Sequence, residues 1–374
     1  MTPDEEFGDM ADWVKRAYRK GEIDRAGEHL VLWWKSDKPT ADDSVGNAYK
    51  IIENWRTSHN LPLVVFQRVL RQRATEIDPT AIVAKRLKRF SSVMNKLARE
   101  PQMKLSQMQD LGGCRAIVSD VPTVYRLYES YRISDPLFQP EWTVKCYDYI
   151  ECPKPDGYRG IHVVGRYKAH REARKPWDGH RIEIQLRSKL QHAFATAVET
   201  ATTFTRSPLK FGGGPGDWRR FFSLMGSVLA IREETPLIEG TPNNEKQLIG
   251  ELRKTAKELK VRQRLRGWTR ALRQLPRRNI TDYKWLLIVL NTTDNTVKVT
   301  GYPDNKEAAR AVAEIEKMKR EDLDAVLVWV NSITELQDAY PNYYADTREF
   351  LKAMSIAFRF QGKFGREESE SLGS

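Results

Sequence analysis

The sequence predicts an α+β chain of more than one domain, and three observations carry that expectation. At 374 residues the chain is longer than the ~100–200 residues that one core usually spans. The hydrophobic period changes from helical to alternating near Cys114 and back to helical near Ser188. A Gly212-Gly213-Gly214-Pro215-Gly216 stretch frees the backbone and stops any helix from running through, which marks a linker.

Residues 1–75 read as a helical N-terminal region. Trp13, Val14, Ala17 and Tyr18 keep helical spacing, as do Ala48, Ile51, Ile52 and Trp55, before Leu61-Pro62-Leu63 interrupts the pattern. A basic helix is predicted over 81–99. Cys114 to Ser119 suits a buried strand, and Val144 to Cys152, Ile161 to Tyr167 and Arg181 to Leu186 are further strands. In the last of these Ile182, Ile184 and Leu186 alternate with Arg181, Glu183 and Gln185. Helix resumes over 188–200. These elements assign 76–211 to one domain and 217–278 to a basic helical linker that Pro276 ends. Beyond it, 285–290 and 297–300 flank an Asn-Thr-Thr-Asp-Asn turn as a hairpin, followed by a helix over 307–320, a strand over 325–330 and a helix over 347–358. Residues 279–363 thus read as a small C-terminal α/β domain, and 364–374 as a frayed polar tail.

With 40% hydrophobic and 30% charged residues, the composition excludes a fibrous repeat, a disordered chain and a disulfide scaffold. No run approaches the roughly 20 apolar residues of a membrane span, and the N-terminus is acidic where a signal peptide is basic, so a cytoplasmic protein without membrane partners is expected. Cys114, Cys146 and Cys152 lack paired metal-ligand spacing and read as free thiols. The formal charge of +12 points to nucleic-acid, nucleotide or anionic partners. Most of it sits in 251–278, where eleven Lys and Arg face two Glu, whereas 301–374 holds fourteen acids against ten bases.

Four polar clusters in 85–187 carry the chemistry. Lys88, Ser92 and Lys96 recur every four residues beside Arg86, so one helix face offers two ammoniums and a hydroxyl to a triphosphate; a solvated face has the same pattern. Asp110 precedes a glycine pair and Arg115, an arrangement that suits Mg²⁺ and a bidentate phosphate clamp, or a turn with a surface ion pair. The segment 148–162 is rich in Pro, Gly, Lys and aromatics, and Tyr158 beside Gly157 is placed to stack on a base. Glu183, Gln185 and Arg187 share one strand face, which is also what a solvent-facing strand surface looks like.

In order and spacing these clusters resemble the synthetase domain of the RelA/SpoT family of alarmone synthetases, over roughly 80–205. The matching pieces are Arg86-x-Lys88-x-x-Ser-Ser92-x-x-x-Lys96, Asp110-x-Gly-Gly-x-Arg115, Asp148-Tyr-Ile-x-x-Pro-Lys154-x-x-Gly157-Tyr158-x-x-x-His162 and Glu183-Ile-Gln185-x-Arg187. The resemblance implies a mixed sheet flanked by helices and an ATP pyrophosphokinase that moves the β,γ-diphosphate to a ribose 3′-hydroxyl. It implies Arg86, Lys88, Ser92, Lys96 and Arg115 on the ATP phosphates, Asp110 and Glu183 on Mg²⁺ or with Glu183 as base, and Tyr158 against the acceptor base. Lys154, His162, Gln185 and Arg187 would complete the acceptor site. No histidine is followed by Asp, so the hydrolase His-Asp pair of housekeeping members is absent.

Gly160 and Thr200 stand where many alarmone synthetases have Ser and His. The chain is similar to toxic small alarmone synthetases, above all fused toxin–antitoxin proteins of the CapRel type. That resemblance implies diphosphate transfer to the CCA end of tRNA, restraint by a C-terminal Tyr-x-x-Tyr motif, here Tyr340 and Tyr343, and release by a phage protein. The alternative acceptor is GDP or GTP.

Overall fold

The computed structural model describes residues 13–36, 42–88, 90–133, 143–169, 171–205, 215–274, most of 283–329, and 347–359. They fall into two compact units, Met1–Asp148 with Gly160–Ser188 and Tyr149–Arg159 with Lys189–Ser374.

In the first unit, helix α1 (Lys20–Lys35) packs against α2 (Asp43–Thr57) and α4 (Phe90–Arg99), and the three share one apolar core. Ile23, Leu30, Ile52, Trp55, Met94 and Leu97 are buried there. Asp42 starts α2 by accepting the Val45 N–H at 3.0 Å, the usual way to satisfy an orphan donor at a helix N-terminus. The Trp34 indole donates to Asn95 at 3.1 Å and ties α1 to α4. Helix α3 (Asn60–Ile77) takes Leu61, Pro62 and Leu63 into its first turns, where a proline needs no amide partner, so the expected break is a helix start.

A five-stranded mixed sheet lies against α3, in the order β1 (Ile82–Leu87), β2 (Gly112–Val118), β5 (Arg181–Ser188), β4 (Ile161–Arg166), β3 (Thr143–Asp148). Strands β2 and β5 are parallel and the other neighbours antiparallel. Helix α5 (Val121–Ile133) follows β2. The α+β expectation and the mixed sheet with flanking helices therefore hold.

Residues 82–87 are an edge strand, not the start of a helix over 81–99; only 90–99 is helical. Ala84, Lys85, Arg86 and Leu87 are good helix formers, but propensity is a weak prior and pairing along β2 overrides it. The exposed Lys85 and Arg86 suit an edge strand, where charge discourages further pairing. The predicted strand over 144–152 stops at Asp148.

The second unit is built on α6 (Lys189–Thr205), α7 (Pro215–Arg232), α8 (Glu245–Glu258), α9 (Val261–Gln274) and α10 (Arg348–Arg359). Phe194, Phe221, Leu224, Leu248, Leu265, Trp268 and Phe350 share its core. Residues 217–274 thus contribute apolar faces to a helical core and do not form a linker. The basic run is two helices, since Lys260 at φ +48° breaks it between α8 and α9. The compact units also divide after Ser188 instead of near residue 211, because Ala193, Phe194, Ala197 and Phe204 give α6 to this core. The hairpin β6 (Trp285–Asn291) and β7 (Thr296–Tyr302) forms as expected, and β8 (Leu323–Trp329) adds to β6 antiparallel. Tyr340, Tyr343, the glycine linker at 212–214 and the 364–374 tail lie outside the described residues.

Loop 149–159 is anchored within this unit. The buried Arg159 guanidinium donates to the carbonyls of Gly226 at 2.6 Å and Pro236 at 3.0 Å, and Ser223 donates to the Pro155 carbonyl at 2.6 Å. Gly157 sits at φ +88°, and a Cβ there would lie 2.7 Å from both the Phe222 carbonyl oxygen and the Phe194 ring. The three cysteines are free, and among the described residues no helix is long and apolar enough to cross a membrane.

Gly165 gives the first unit a test. A Cβ there would lie 2.4 Å from the Phe66 ring on the α3 side of the sheet, whereas a Cβ on Gly113 meets only the Glu183 carbonyl oxygen at 3.7 Å. Gly165→Ala should therefore lower the unfolding free energy by about 1–3 kcal/mol. Gly113→Ala should stay within roughly 0.5 kcal/mol of the parent. Urea titrations of the two variants check this, and equal losses would contradict the packing described.

Candidate active site

Strand pairing assembles one polar face. The β2–β5 register aligns Gly113 with Glu183, Arg115 with Gln185 and Ile117 with Arg187, and β4 places His162 opposite Gln185. Side chains alternate along a strand, so Arg115, His162, Glu183, Gln185 and Arg187 lie on one side. Cys114, Ala116, Ile182, Ile184 and Leu186 are buried on the other. Arg86, opposite Gly113, joins the polar side at the β1 edge and is exposed.

These groups bond in series. His162 Nδ1 lies 3.0 Å from Glu183 Oε1, and the Gln185 amide donates to Glu183 Oε2 at 2.7 Å. The Gln185 carbonyl oxygen in turn accepts from Arg115 Nε at 3.2 Å and from Arg187 Nη2 at 2.9 Å. Burial pushes the Glu183 carboxyl up, but the His162 contact outweighs it and, with the Gln185 amide, holds the group down to about 2; the nearby negative charge of Asp110 acts in the opposite sense. Glu183 is thus ionised and can only accept, so His162 is the donor through Nδ1.

Asp110 forms the second group. The Lys88 N–H donates to the Leu111 carbonyl at 2.6 Å, which continues the β1–β2 ladder one residue past its last pair and sets Lys88 beside Asp110. Lys88 Nζ then donates to Asp110 Oδ2 at 2.8 Å, and Lys96 Nζ, from α4, to Oδ1 at 3.0 Å. Burial raises the Asp110 carboxyl, and the two ammonium groups more than offset it, leaving it at about 2. Ser92 is half-buried one turn before Lys96. Lys88 is therefore not on the helix with Ser92 and Lys96, as the four-residue spacing predicted; it comes from the strand end. Arg56 of α2 donates to the Lys88 carbonyl at 3.2 Å.

Lys154 and Tyr158 belong to the loop held by the second unit. Lys154 Nζ lies 4.3 Å from the Tyr149 ring centre and 5.1 Å from that of Tyr158, and the two rings are 5.9 Å apart at 72°. Tyr149 is a member of this cluster that the sequence reading passed over, although a second aromatic in the same Pro- and Gly-rich loop was the available signal. Lys145 and Tyr147 on β3 were also missed. Tyr147 pairs with His162 and so shares the polar face, with Lys145 Nζ 4.7 Å from its ring.

Among the described residues no three His, Cys, Asp or Glu side chains form a metal cluster. Asp110 and Glu183 are instead two ionised carboxylates, the oxygen donors that Mg²⁺ takes singly or in pairs alongside phosphate oxygens, so the donor set fits that ion.

Both acids titrate lower in the folded chain than their ordinary 3.8 and 4.5, so the stability they add is present above those values and is lost as the pH falls toward 2. In a Lys88→Met/Lys96→Met variant burial prevails at Asp110, and its carboxyl should titrate above 3.8. A ¹³C NMR titration reads this directly, and an Asp110 that still titrates near 2 would contradict the assignment.

Residues 85–207 match the family model described as a region found in RelA and SpoT proteins. GTP pyrophosphokinase YwaC of Bacillus subtilis (strain 168) is 32% identical over 93 residues, which is 23% of this chain and 42% of the relative, so less than half of that protein's length is spanned. Small alarmone synthetase 1 from Bacillus subtilis, solved with its product pppGpp, is 20% identical with a TM-score of 0.42 over 50% of this chain and 94% of that one. The Type VI effector Tas1, solved with its immunity protein, is 16% identical with a TM-score of 0.28 over 56% of this chain and 97% of that one. About a third of this chain, residues 85–207, is thus similar to the region found in RelA and SpoT proteins.

Proposed function

We propose that the chain is a diphosphotransferase that moves the β,γ-diphosphate of ATP to a ribose 3′-hydroxyl. The observation that carries this reading is the Lys88–Asp110–Lys96 group, whose acid is close enough to Glu183 to act on its ionisation, within the segment similar to RelA and SpoT proteins. Transfer of this kind needs little covalent chemistry from the protein; it needs cations on the phosphates and a fixed geometry. Phosphate oxygens compete with Asp110 for the Lys88 and Lys96 ammoniums, and Arg86, Ser92 and Arg115 add donors. Mg²⁺ on Asp110 and Glu183 would supply charge neutralisation at the transferred group. A general base works best with a pKa near the working pH, so a Glu183 held near 2 suits a metal ligand better than a proton acceptor. Tyr158, with Lys154, is assigned to the acceptor base, and His162, Gln185 and Arg187 position Glu183 and the acceptor.

The name of the relative, GTP pyrophosphokinase, favours GDP or GTP as acceptor. A second reading, transfer to the CCA end of tRNA with arrest of translation, is favoured by the exposed cations of α8 and α9, because an RNA backbone is held by clustered Lys and Arg. In that reading Tyr340 and Tyr343 restrain the transfer and a phage protein releases it. Removing 279–374 is a poor test of restraint, since it also strips Phe350, Leu351 and Met354 from a buried core. The Tyr340→Ala/Tyr343→Ala variant is the better one, and raised activity is its expected result.

The deciding experiment incubates the full chain with γ-³²P-ATP, Mg²⁺ and either GDP, GTP or bulk tRNA. Label should enter the 3′ position of one acceptor class, and Asp110→Asn or Glu183→Gln should reduce the rate by roughly 10²-fold or more. Tyr158→Ala should raise the acceptor KM while Tyr158→Phe keeps it. Label in tRNA alone would select the second reading, and label in neither would end the proposal.

A further inference from the structure

Lys88 follows the last residue of β1, and α4, the helix of Ser92 and Lys96, begins two residues later at Phe90. The joint between strand and helix therefore sets where both ammoniums of the Asp110 group can stand. Both polar groups of the Lys88 backbone are held. Its N–H donates to the Leu111 carbonyl at 2.6 Å, which ties the joint to β2. Its carbonyl accepts from Arg56 Nη1 at 3.2 Å, a contact that reaches 32 residues back in the sequence to α2.

Arg56 is itself held. Its Nε donates to Glu53 Oε2 at 2.8 Å and its Nη2 to Glu53 Oε1, one turn earlier on the same helix. A guanidinium presents its N–H groups as a planar fork, so pairing Nε and Nη2 with one carboxylate leaves Nη1 aimed in a fixed direction. Ile52 and Trp55 beside it are buried in the core shared with α1 and α4, which gives the arm a rigid base. The side chains of Arg56 and Glu53 are 19% and 29% exposed, so the pair is partly shielded from solvent.

We propose that Arg56, oriented by Glu53, is a positioning residue for the transfer: through the Lys88 carbonyl it fixes the joint between β1 and α4, and so holds the Lys88 ammonium where the transferred phosphates meet it. The inference rests on the reaction proposed above. Arg56 grips main chain, so its hold is the same whether the ammonium faces Asp110 or a phosphate oxygen. A cation placed in advance in this way need not be ordered at the moment of reaction, which is how a group outside the chemistry contributes to rate.

The test is a double-mutant cycle of Arg56→Met and Lys88→Met in the transfer assay, with NMR spectra of the same full-length variants labelled with ¹³C at lysine Cε. Arg56→Met keeps an apolar stem and removes every donor. It should lower kcat by roughly tenfold or more while the acceptor KM is kept, and should cost nothing further once Lys88 is replaced. Arg56→Lys keeps the charge without the fork; it stands in should Arg56→Met melt early, and its kcat should fall between those of Arg56→Met and the parent. In the spectra the Lys88 signal, identified by its loss in Lys88→Met, should shift in Arg56→Met while those of the exposed Lys35 and Lys104 stay. Equal losses of kcat in both Lys88 backgrounds would make Arg56 a structural residue only and overturn the inference. If no acceptor is labelled, the diphosphotransferase reading fails and the role in transfer with it. The spectra then still decide the contact itself: a shifted Lys88 signal upholds the hold of Arg56 on Lys88, and an unmoved one overturns it.

Discussion

The parallel pairing of β2 with β5 is the constraint on which the candidate site depends. It joins segments some seventy residues apart and sets their register so that Arg115 stands opposite Gln185 and Gly113 opposite Glu183. A slip of one residue would send Glu183, Gln185 and Arg187 into the apolar side of the sheet, where unpaired charge is costly. The buried row of Ile182, Ile184 and Leu186 prevents that slip. Function and fold are therefore set by the same alternation.

In the first unit each of the two site acids is matched: two ammoniums meet Asp110, and a ring nitrogen and an amide meet Glu183. Matching of this kind keeps partly buried carboxylates ionised across the physiological range. In the second, Arg266, Arg270, Arg348 and Lys352 line a hollow between α9 and α10.

Much of this is legible in the sequence. The alternation of 181–187 placed Glu183, Gln185 and Arg187 on one face, and the hydrogen bonds among them follow from that placement. The α+β class and the hairpin at 285–300 were also readable. Residues 82–87 were not, because their composition suits a helix and only the long-range partner in β2 makes them a strand. Nor was the fate of 217–274: a run dense in Lys and Arg hides the Leu248, Leu252, Leu265 and Trp268 stripe that buries these helices. The partners of Asp110 needed both Lys88 at a strand end and Lys96 on a helix, a meeting that no single period announces.

The path of the backbone has a practical corollary. The segment 149–159 leaves β3, is gripped through Arg159 and Ser223 by the helical unit, and returns to begin β4. The chain thus passes between its two halves three times, and no single scissile point separates them. A graft of the sheet onto a foreign partner would carry away the peptide that caps Gly226 and Pro236. A helical fragment beginning at residue 189 would in turn expose the carbonyls that Arg159 covers. Recombination that respects only linear boundaries would break both halves, so they are bound to travel through descent as one piece.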